Sequence, residues 1–154
     1  MNTEREGFSK GMFMNWGAIN NYANEIIAQY NVKTPSYQEL MQNLSGGNQQ
    51  KVVLGREIER KPELLIAMHP ARGLDIGATN FVQQNIVDER DRGAAVLLVS
   101  TELEEIYALS DRIAVMFEGE IMGIVPPTTP NDEIGMMMAG VRYEDSHKDS
   151  ANNA

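Results

Sequence analysis

Residues 44–51 read Leu-Ser-Gly-Gly-Asn-Gln-Gln-Lys and form the stretch with the clearest chemical potential. Two adjacent glycines let a backbone approach a ligand closely, and we predict that they open a helix running from about Gly46 to Glu59. The first amides of a helix have no partner within it, and the helix dipole favours an anion there. Ser45 would add a hydroxyl donor or would simply cap the helix. The stretch therefore indicates either a phosphate-binding turn or an ordinary loop and N-cap.

The spacing of apolar residues predicts the elements that must position this turn. Apolar residues recur every three or four positions in some segments, which predicts helices, and form short unbroken runs in others, which predicts buried strands of the parallel type. The last two runs flank Glu118-Gly119 and predict a hairpin. The order is helix 18–30, helix 46–59, strand 64–68, helix 78–90, strand 94–100, a helix capped by Thr101, hairpin 113–125 and helix 131–139. We therefore predict an α/β fold, with a mostly parallel sheet flanked by helices.

Composition excludes several classes of protein. The 154 residues carry a net charge of −9, which argues against a nucleic-acid partner, because phosphate backbones call for clustered Lys and Arg. The chain has no cysteine, so no disulfide framework or thiolate metal site is expected. Neither a run of about 20 apolar residues nor a signal-peptide pattern is present. We expect an intracellular protein with one sizeable core.

A second motif lies downstream of the glycine turn. The apolar run Leu64–Met68 is followed by His69 and then by Arg-Gly-Leu-Asp at residues 72–75. This order resembles the ATPases of ABC transporters, in which a signature motif of the LSGGQ type is followed by a Walker B strand and a D-loop. The resemblance extends from about Ser36 to Gly140. It is greatest to the second nucleotide-binding half of sugar and nucleoside importers, in which one polypeptide carries two ATPase halves.

The resemblance implies roles for individual residues. In this family two halves pair head to tail, so that each signature caps the ATP held by the opposite half. The residues that would contact ATP in trans are Ser45, Gly46, Gly47, Asn48 and Gln49, with Asn48 replacing the usual glutamine. Asp75 would lie in the D-loop across the same interface. Its alternative role is that of a surface carboxylate that caps the helix beginning near Ile76.

The chain departs from the family pattern at its own nucleotide site. No G-x-x-x-x-G-K-[ST] loop occurs, and Met68 and His69 stand where the Walker B aspartate and glutamate are expected. A thioether is a poor ligand for Mg²⁺, which prefers oxygen. His69 could act as a base, but without a metal site a structural role is favoured. Thr101 replaces the switch histidine and cannot carry its positive charge. We assign no catalytic residue and no metal ligand to this degenerate site.

The resemblance implies part of the ATP-binding subunit of an importer for nucleosides or simple sugars, and the substitutions at residues 68 and 69 favour nucleosides. Its partners would be the N-terminal ATPase half of the same parent polypeptide and membrane permease subunits, which would hold it at the cytoplasmic face of the membrane. ATP and Mg²⁺ would serve the full assembly, an ATPase, whereas the chain alone would bind neither and be inactive. The alternative is a truncated, non-enzymatic module that docks on ATPase or permease partners. ATPases of DNA repair and chromosome maintenance have similar signatures, but residues 48–50 and 72–75 favour importers.

The resemblance also predicts the organisation of the chain. We expect a flexible lead over residues 1–15, a helical subdomain with the signature helix over 16–60, part of the ATPase core over 61–142 and a disordered tail over 143–154. A parallel sheet without its Walker A strand exposes an edge or an apolar face. We therefore expect the isolated chain to self-associate.

Overall fold

The computed structural model describes residues 7–10 and 12–145 and has an α/β fold. Helices and strands alternate along most of the chain, which confirms the predicted fold class. The strands are β1 Ser9–Lys10, β2 Phe13–Met14, β3 Leu64–Met68, β4 Ala95–Val99, β5 Ile113–Phe117 and β6 Glu120–Val125, and the helices are α1 Trp16–Gln29, α2 Gly46–Ile58, α3 Ile76–Asp91, α4 Leu103–Leu109 and α5 Asn131–Met138. None of the helices in the described ranges combines the length and the apolarity needed to span a lipid bilayer.

The chain divides into two compact units, one up to Leu97 and one from Leu98. The boundary falls within β4, whereas the sequence placed a division between residues 60 and 61. The helix that begins at the glycine turn and the strand that follows it therefore belong to one unit. Within the predicted flexible lead, residues 9–10 and 13–14 form the short antiparallel pair β1–β2. Of the predicted disordered tail, residues 146–154 lie outside the described residues.

In the first unit, α1 and α2 pack around Tyr30. The buried residues Ile26, Tyr30 and Val32 form a cluster there. Gly55 of α2 makes this packing possible, because a Cβ at that position would lie 2.7 Å from Cδ2 of the Tyr30 ring. The chain then leaves α1 through Asn31, whose φ of +48° is one that asparagine tolerates better than most residues.

The strand β3 is hydrogen-bonded to β4, and helix α3 connects the two. The unbroken apolar runs predicted strands buried on both faces, and this expectation was wrong. Along β3, Leu65 and Ala67 are buried, whereas Leu64, Ile66 and Met68 are 55–68% exposed, and Leu97 of β4 is 52% exposed. In the described part of the chain, the predicted single sheet is present as three two-stranded sheets. The exposed side chains of β3 alternate along the strand, so one apolar face of β3 has no covering layer within the described residues.

The second unit is built on the hairpin β5–β6, which the sequence predicted. The strands pair antiparallel from Ile113↔Val125 to Phe117↔Glu120, with an irregularity between Val115 and Met116. One face packs into a core with α4 and α5, whose buried members are Ile113, Val115, Met122, Val125, Ile134 and Met137. The hydroxyl of Tyr107 in α4 donates to the carbonyl of Thr129, 2.7 Å away, and ties α4 to the loop before α5.

The environment of Tyr30 predicts a loss of stability at alkaline pH. Burial, together with the nearby carboxylate of Glu59, raises the pKa of the Tyr30 hydroxyl above its ordinary value of about 10. The stabilisation is fully present below pH 10 and falls as pH rises above it, because the unfolded tyrosine loses its proton first. We expect the free energy of unfolding to fall by up to about 1.4 kcal/mol per pH unit above pH 10.

Urea unfolding between pH 8 and pH 12 tests this expectation. Tyr30→Phe removes the ionising group and should flatten the decline, whereas Tyr37→Phe, at an exposed position, should leave it unchanged. Equal pH dependence in the two variants would contradict the assignment.

The exposed face of β3 predicts self-association of the isolated chain. Ile66→Thr keeps a β-branched residue in the strand but removes apolar surface, so it should lower the concentration-dependent mass seen by light scattering. Ile124→Thr, at another exposed strand position in the second unit, is the matched control and should have a smaller effect. A wild-type chain that stays monomeric at high concentration would refute the prediction.

Candidate functional site

The start of α2 differs from the starts of α1 and α3 in the way its backbone amides are used. Asn15 caps α1 by accepting a hydrogen bond from the Ala18 amide at 3.2 Å, and Asp75 caps α3 by accepting one from Ala78 at 2.8 Å. Ser45 occupies the same position before α2, with φ −60° and ψ 154°, but its side chain forms no cap hydrogen bond. A residue type that commonly caps helices therefore leaves the amides of this helix open.

Three consecutive backbone amides are available at this helix end. Within residues 7–10 and 12–145, the N–H groups of Gly46, Gly47 and Asn48 have no acceptor, and the first satisfied amide is that of Gln49, which donates to the Ser45 carbonyl at 2.9 Å. Ser45 and Gly46 are exposed, and a Cβ at Gly46 would meet nothing within 4 Å. Open amides, the helix dipole and an accessible backbone together suit an anion such as a phosphate.

The side chains of Asn48 and Gln49 hold the turn in place. Asn48 Nδ2 donates to Ser45 Oγ at 2.8 Å, and Asn48 Oδ1 accepts from the Lys33 backbone amide at 2.8 Å. Gln49 Nε2 donates to the Leu44 carbonyl, also at 2.8 Å. Sequence reasoning missed Lys33, and no sequence signal could have found it, because it contributes only a backbone N–H that every residue except proline carries.

Close packing brings the start of α3 to the start of α2. A Cβ built at Gly47 would lie 3.1 Å from Cβ of Ala78, so the two helix ends nearly touch. Asp75, the predicted D-loop residue, is exposed, and its Oδ1 accepts the Ala78 amide hydrogen bond. Its capping role is thus realised in the structure. The predicted signature and D-loop residues lie on adjoining helix ends of one unit.

The structure places Met68 and His69 at the end of β3 and at the turn that follows it. Met68 is the last residue of the strand and is largely exposed, and His69 adopts a φ of +47°. The His69 carbonyl accepts from the Arg72 amide at 3.2 Å, which closes the turn. No group of three or more His, Cys, Asp or Glu side chains suited to a metal ion occurs in the described part of the chain.

Thr101 is exposed and lies in the second unit, before α4. The sequence predicted that it caps this helix, and that prediction was wrong. The N-cap of α4 is Glu102, one residue later, and the Glu102 amide donates to Ser100 Oγ at 3.1 Å. The start of α4 has no side-chain cap hydrogen bond.

An apolar groove of about 550 Å³ lies in the first unit beside α1, and sequence reasoning did not foresee it. Its lining includes Phe8, Met14, Tyr22, Ile27, Met41 and Val52. Two of the lining residues, Phe8 and Met14, lie beside and within the β1–β2 pair. The groove can accept apolar side chains, and it is lined by residues other than those at the start of α2.

Comparison with solved structures defines the class of fold. A dimeric, post-hydrolysis structure of the ATP-binding cassette MJ0796, bound to ADP and Pi, superposes with a TM-score of 0.64 at 20% identity, covering 80% of this chain and 53% of that one. No family model matches the chain. The fold is that of part of an ABC ATPase cassette.

Comparison with curated proteins narrows this class. The chain is 50% identical over 133 residues to the guanosine import ATP-binding protein NupO of Bacillus subtilis and 45% identical over 133 residues to the nucleoside import ATP-binding protein NupA of Lactococcus lactis. These matches cover 86% of this chain and 26% of each relative, so the chain spans about a quarter of their length. The chain is a homologue of ATP-binding proteins of nucleoside and sugar import.

The two glycines at the start of α2 should respond differently to the same substitution. Gly46→Val enters open space, whereas Gly47→Val drives a branched side chain against Ala78. We expect the Gly47 variant to be less stable than the Gly46 variant by about 1–3 kcal/mol, the usual cost of overpacking. Urea unfolding of the two variants measures the difference. Because each carries valine in the first turn of the same helix, equal stabilities would show that the contact with Ala78 is absent.

Proposed function

We propose that this chain is part of the ATP-binding subunit of an ABC importer for nucleosides or simple sugars. In this role it supplies Ser45 and the amides of Gly46 and Gly47 to ATP held by a partner ATPase half. The observation that carries the proposal is the set of three open amides at the start of α2, beside an exposed serine hydroxyl. The similarity to NupO and NupA supports the substrate class.

The proposed site makes chemical sense without a catalytic group from this chain. When bound, Mg-ATP would present phosphate oxygens that carry negative charge, and the open amides and the helix dipole would stabilise that charge. Met68, His69 and Thr101 would leave the chain's own nucleotide position without Mg²⁺ ligands or a switch histidine. The hydrolysing machinery would then come from the partner half. Asp75, which adjoins the start of α2 through the Gly47–Ala78 contact, would lie at the same interface.

The proposal includes the cellular context of the whole subunit. It would act at the cytoplasmic face of the membrane, bound to permease subunits, and would cycle with ATP and Mg²⁺ as an ATPase. The alternative is a non-enzymatic module that docks through apolar surface alone. The exposed face of β3 and the groove beside α1 favour that alternative, because both can bind a partner without nucleotide.

A binding experiment separates the two functions. The chain is mixed with an ATPase half that carries an intact G-x-x-x-x-G-K-[ST] loop, and association is followed by analytical ultracentrifugation with and without Mg-ATP. We expect association to require Mg-ATP, and Gly46→Val to weaken it at least tenfold, because the branched side chain keeps phosphate away from the amides. Ile66→Thr is the control that alters apolar surface elsewhere in the same unit.

Three outcomes are informative. Association that needs nucleotide and is lost in the Gly46 variant supports capping in trans. Association without nucleotide that is lost with Ile66→Thr supports the docking module. Calorimetry on the chain alone should detect no micromolar binding of Mg-ATP, and binding with turnover would rule out the degenerate site.

A further inference from the structure

Asn48 connects the turn before α2 to the loop that follows α1. Its side-chain amide contacts two groups of different character, namely the Lys33 backbone N–H and Ser45 Oγ, each at 2.8 Å. A backbone N–H can only donate, so the atom facing Lys33 must be the amide oxygen. The amide nitrogen is therefore turned towards Ser45, and the orientation of Asn48 is fixed by the chemistry of its partners.

This orientation determines what the Ser45 hydroxyl can do. Asn48 Nδ2 is a donor, so Ser45 Oγ accepts, and the single hydroxyl proton must be directed to another acceptor. Ser45 is exposed and its Oγ makes no cap hydrogen bond. The proton is thus available to an external acceptor at the same helix end as the open amides of Gly46, Gly47 and Asn48. Four donors, all with free protons, are presented together.

A second contact holds the loop against α2. Lys51 Nζ donates to the Asn31 carbonyl at 3.1 Å, and its ammonium group lies 4.7 Å from the centre of the Phe81 ring. The Asn31–Lys33 segment is therefore attached to α2 at two points, one turn apart, through Lys51 and Asn48. This attachment keeps the Lys33 N–H where it orients the Asn48 amide.

The geometry points to Asn48 as a positioning residue that sets the Ser45 hydroxyl as a donor to an oxygen of the nucleotide phosphates. The inference rests on the proposed function and deepens it, because it explains how an amide at this position serves the neighbouring serine. Asn48 itself contacts only protein groups and acts through Ser45. The recognised chemistry is an anionic phosphate oxygen that accepts hydrogen bonds from one hydroxyl and from backbone amides.

Two substitutions of Asn48 separate its two contacts. Asn48→Asp can still accept from Lys33 but cannot donate, so Ser45 must donate to the carboxylate and turn its proton inward. Asn48→Ala removes both contacts and lets the hydroxyl rotate. Gln50→Glu is the charge control. It adds the same negative charge near the start of α2, at a residue that makes no hydrogen bond to Ser45 in the wild-type structure.

The readout is Mg-ATP-dependent association with the intact ATPase half described above. We expect Asn48→Asp to weaken association about tenfold or more, in keeping with the loss of a hydrogen bond to a charged group. Asn48→Ala should have a smaller effect, and Gln50→Glu should change association less than twofold. The decisive comparison is a double-mutant cycle, because Asn48→Ala should have no further effect once Ser45→Ala has removed the hydroxyl.

A measurement on the chain alone confirms that the contact exists. Ser45→Ala should shift the side-chain amide resonances of Asn48 in NMR spectra and speed their exchange with solvent, and urea unfolding should show that each variant is folded. Unshifted resonances would show that the Asn48–Ser45 contact is absent and would overturn the inference.

The cycle distinguishes failure of the inference from failure of the proposed function. If Ser45→Ala weakens association, and Asn48→Ala weakens it by the same further factor with or without the serine, Asn48 acts independently of Ser45 and the inference is wrong. If neither Ser45→Ala nor Gly46→Val alters association, the proposed function fails and the inference fails with it. Coupled effects, in which the Asn48 substitution matters only when Ser45 is present, support both.

Discussion

The contact between the Tyr30 ring and Gly55 is the constraint on which the candidate site depends. It allows α1 and α2 to approach so closely that a methyl group at residue 55 would collide with the ring. With the end of α1 fixed in this way, the chain turns through Asn31 and brings Lys33 alongside Asn48. The turn at Ser45 is thus held by a residue distant in sequence, through one backbone hydrogen bond and one side-chain amide. Close packing in the core, in this case, sets the direction of a polar group at the surface.

The helix ends of the first unit show how stability and binding compete for the same backbone groups. A side-chain cap is worth about 0.5–2 kcal/mol, and α1 and α3 gain such a cap from Asn15 and Asp75. Ser45 could serve α2 in the same way, but its hydroxyl is engaged by Asn48 instead. The helix α2 therefore lacks the stabilisation that a side-chain cap would provide. Functional sites often lack an interaction that local structure would favour.

Much of the fold could be predicted from the sequence because helices and strands have different apolar periods. The bounds of β3 were predicted correctly, and α2 begins at Gly46 as the glycine turn indicated. The sequence predicted that a sheet without its Walker A strand exposes an edge or an apolar face, but it did not locate that face at Leu64 and Ile66. An unbroken apolar run is typical of a strand covered on both faces, and which face lacks its cover is a tertiary property. The hydrogen bond between the Lys33 amide and Asn48 could not be predicted either, because nearly every residue type carries a backbone N–H.

The residues at the start of α2 and those at the end of β3 can change independently because they would serve different nucleotides. Under the proposed arrangement, Ser45 and Gly46 act on the ATP of the partner, so a loss of function there would disable the only site that hydrolyses. Met68 and His69 would face the chain's own nucleotide, where a poor Mg²⁺ ligand lowers turnover without touching the partner's site. A chain with an open helix end at α2 and no carboxylate at residues 68 and 69 is therefore physically coherent. The same reasoning explains why Asp75, the predicted D-loop residue, can combine capping of α3 with a place beside the start of α2. Its carboxylate accepts a hydrogen bond from the Ala78 amide and so fixes the start of α3. Because Ala78 packs against Gly47, the start of α3 is held next to the start of α2.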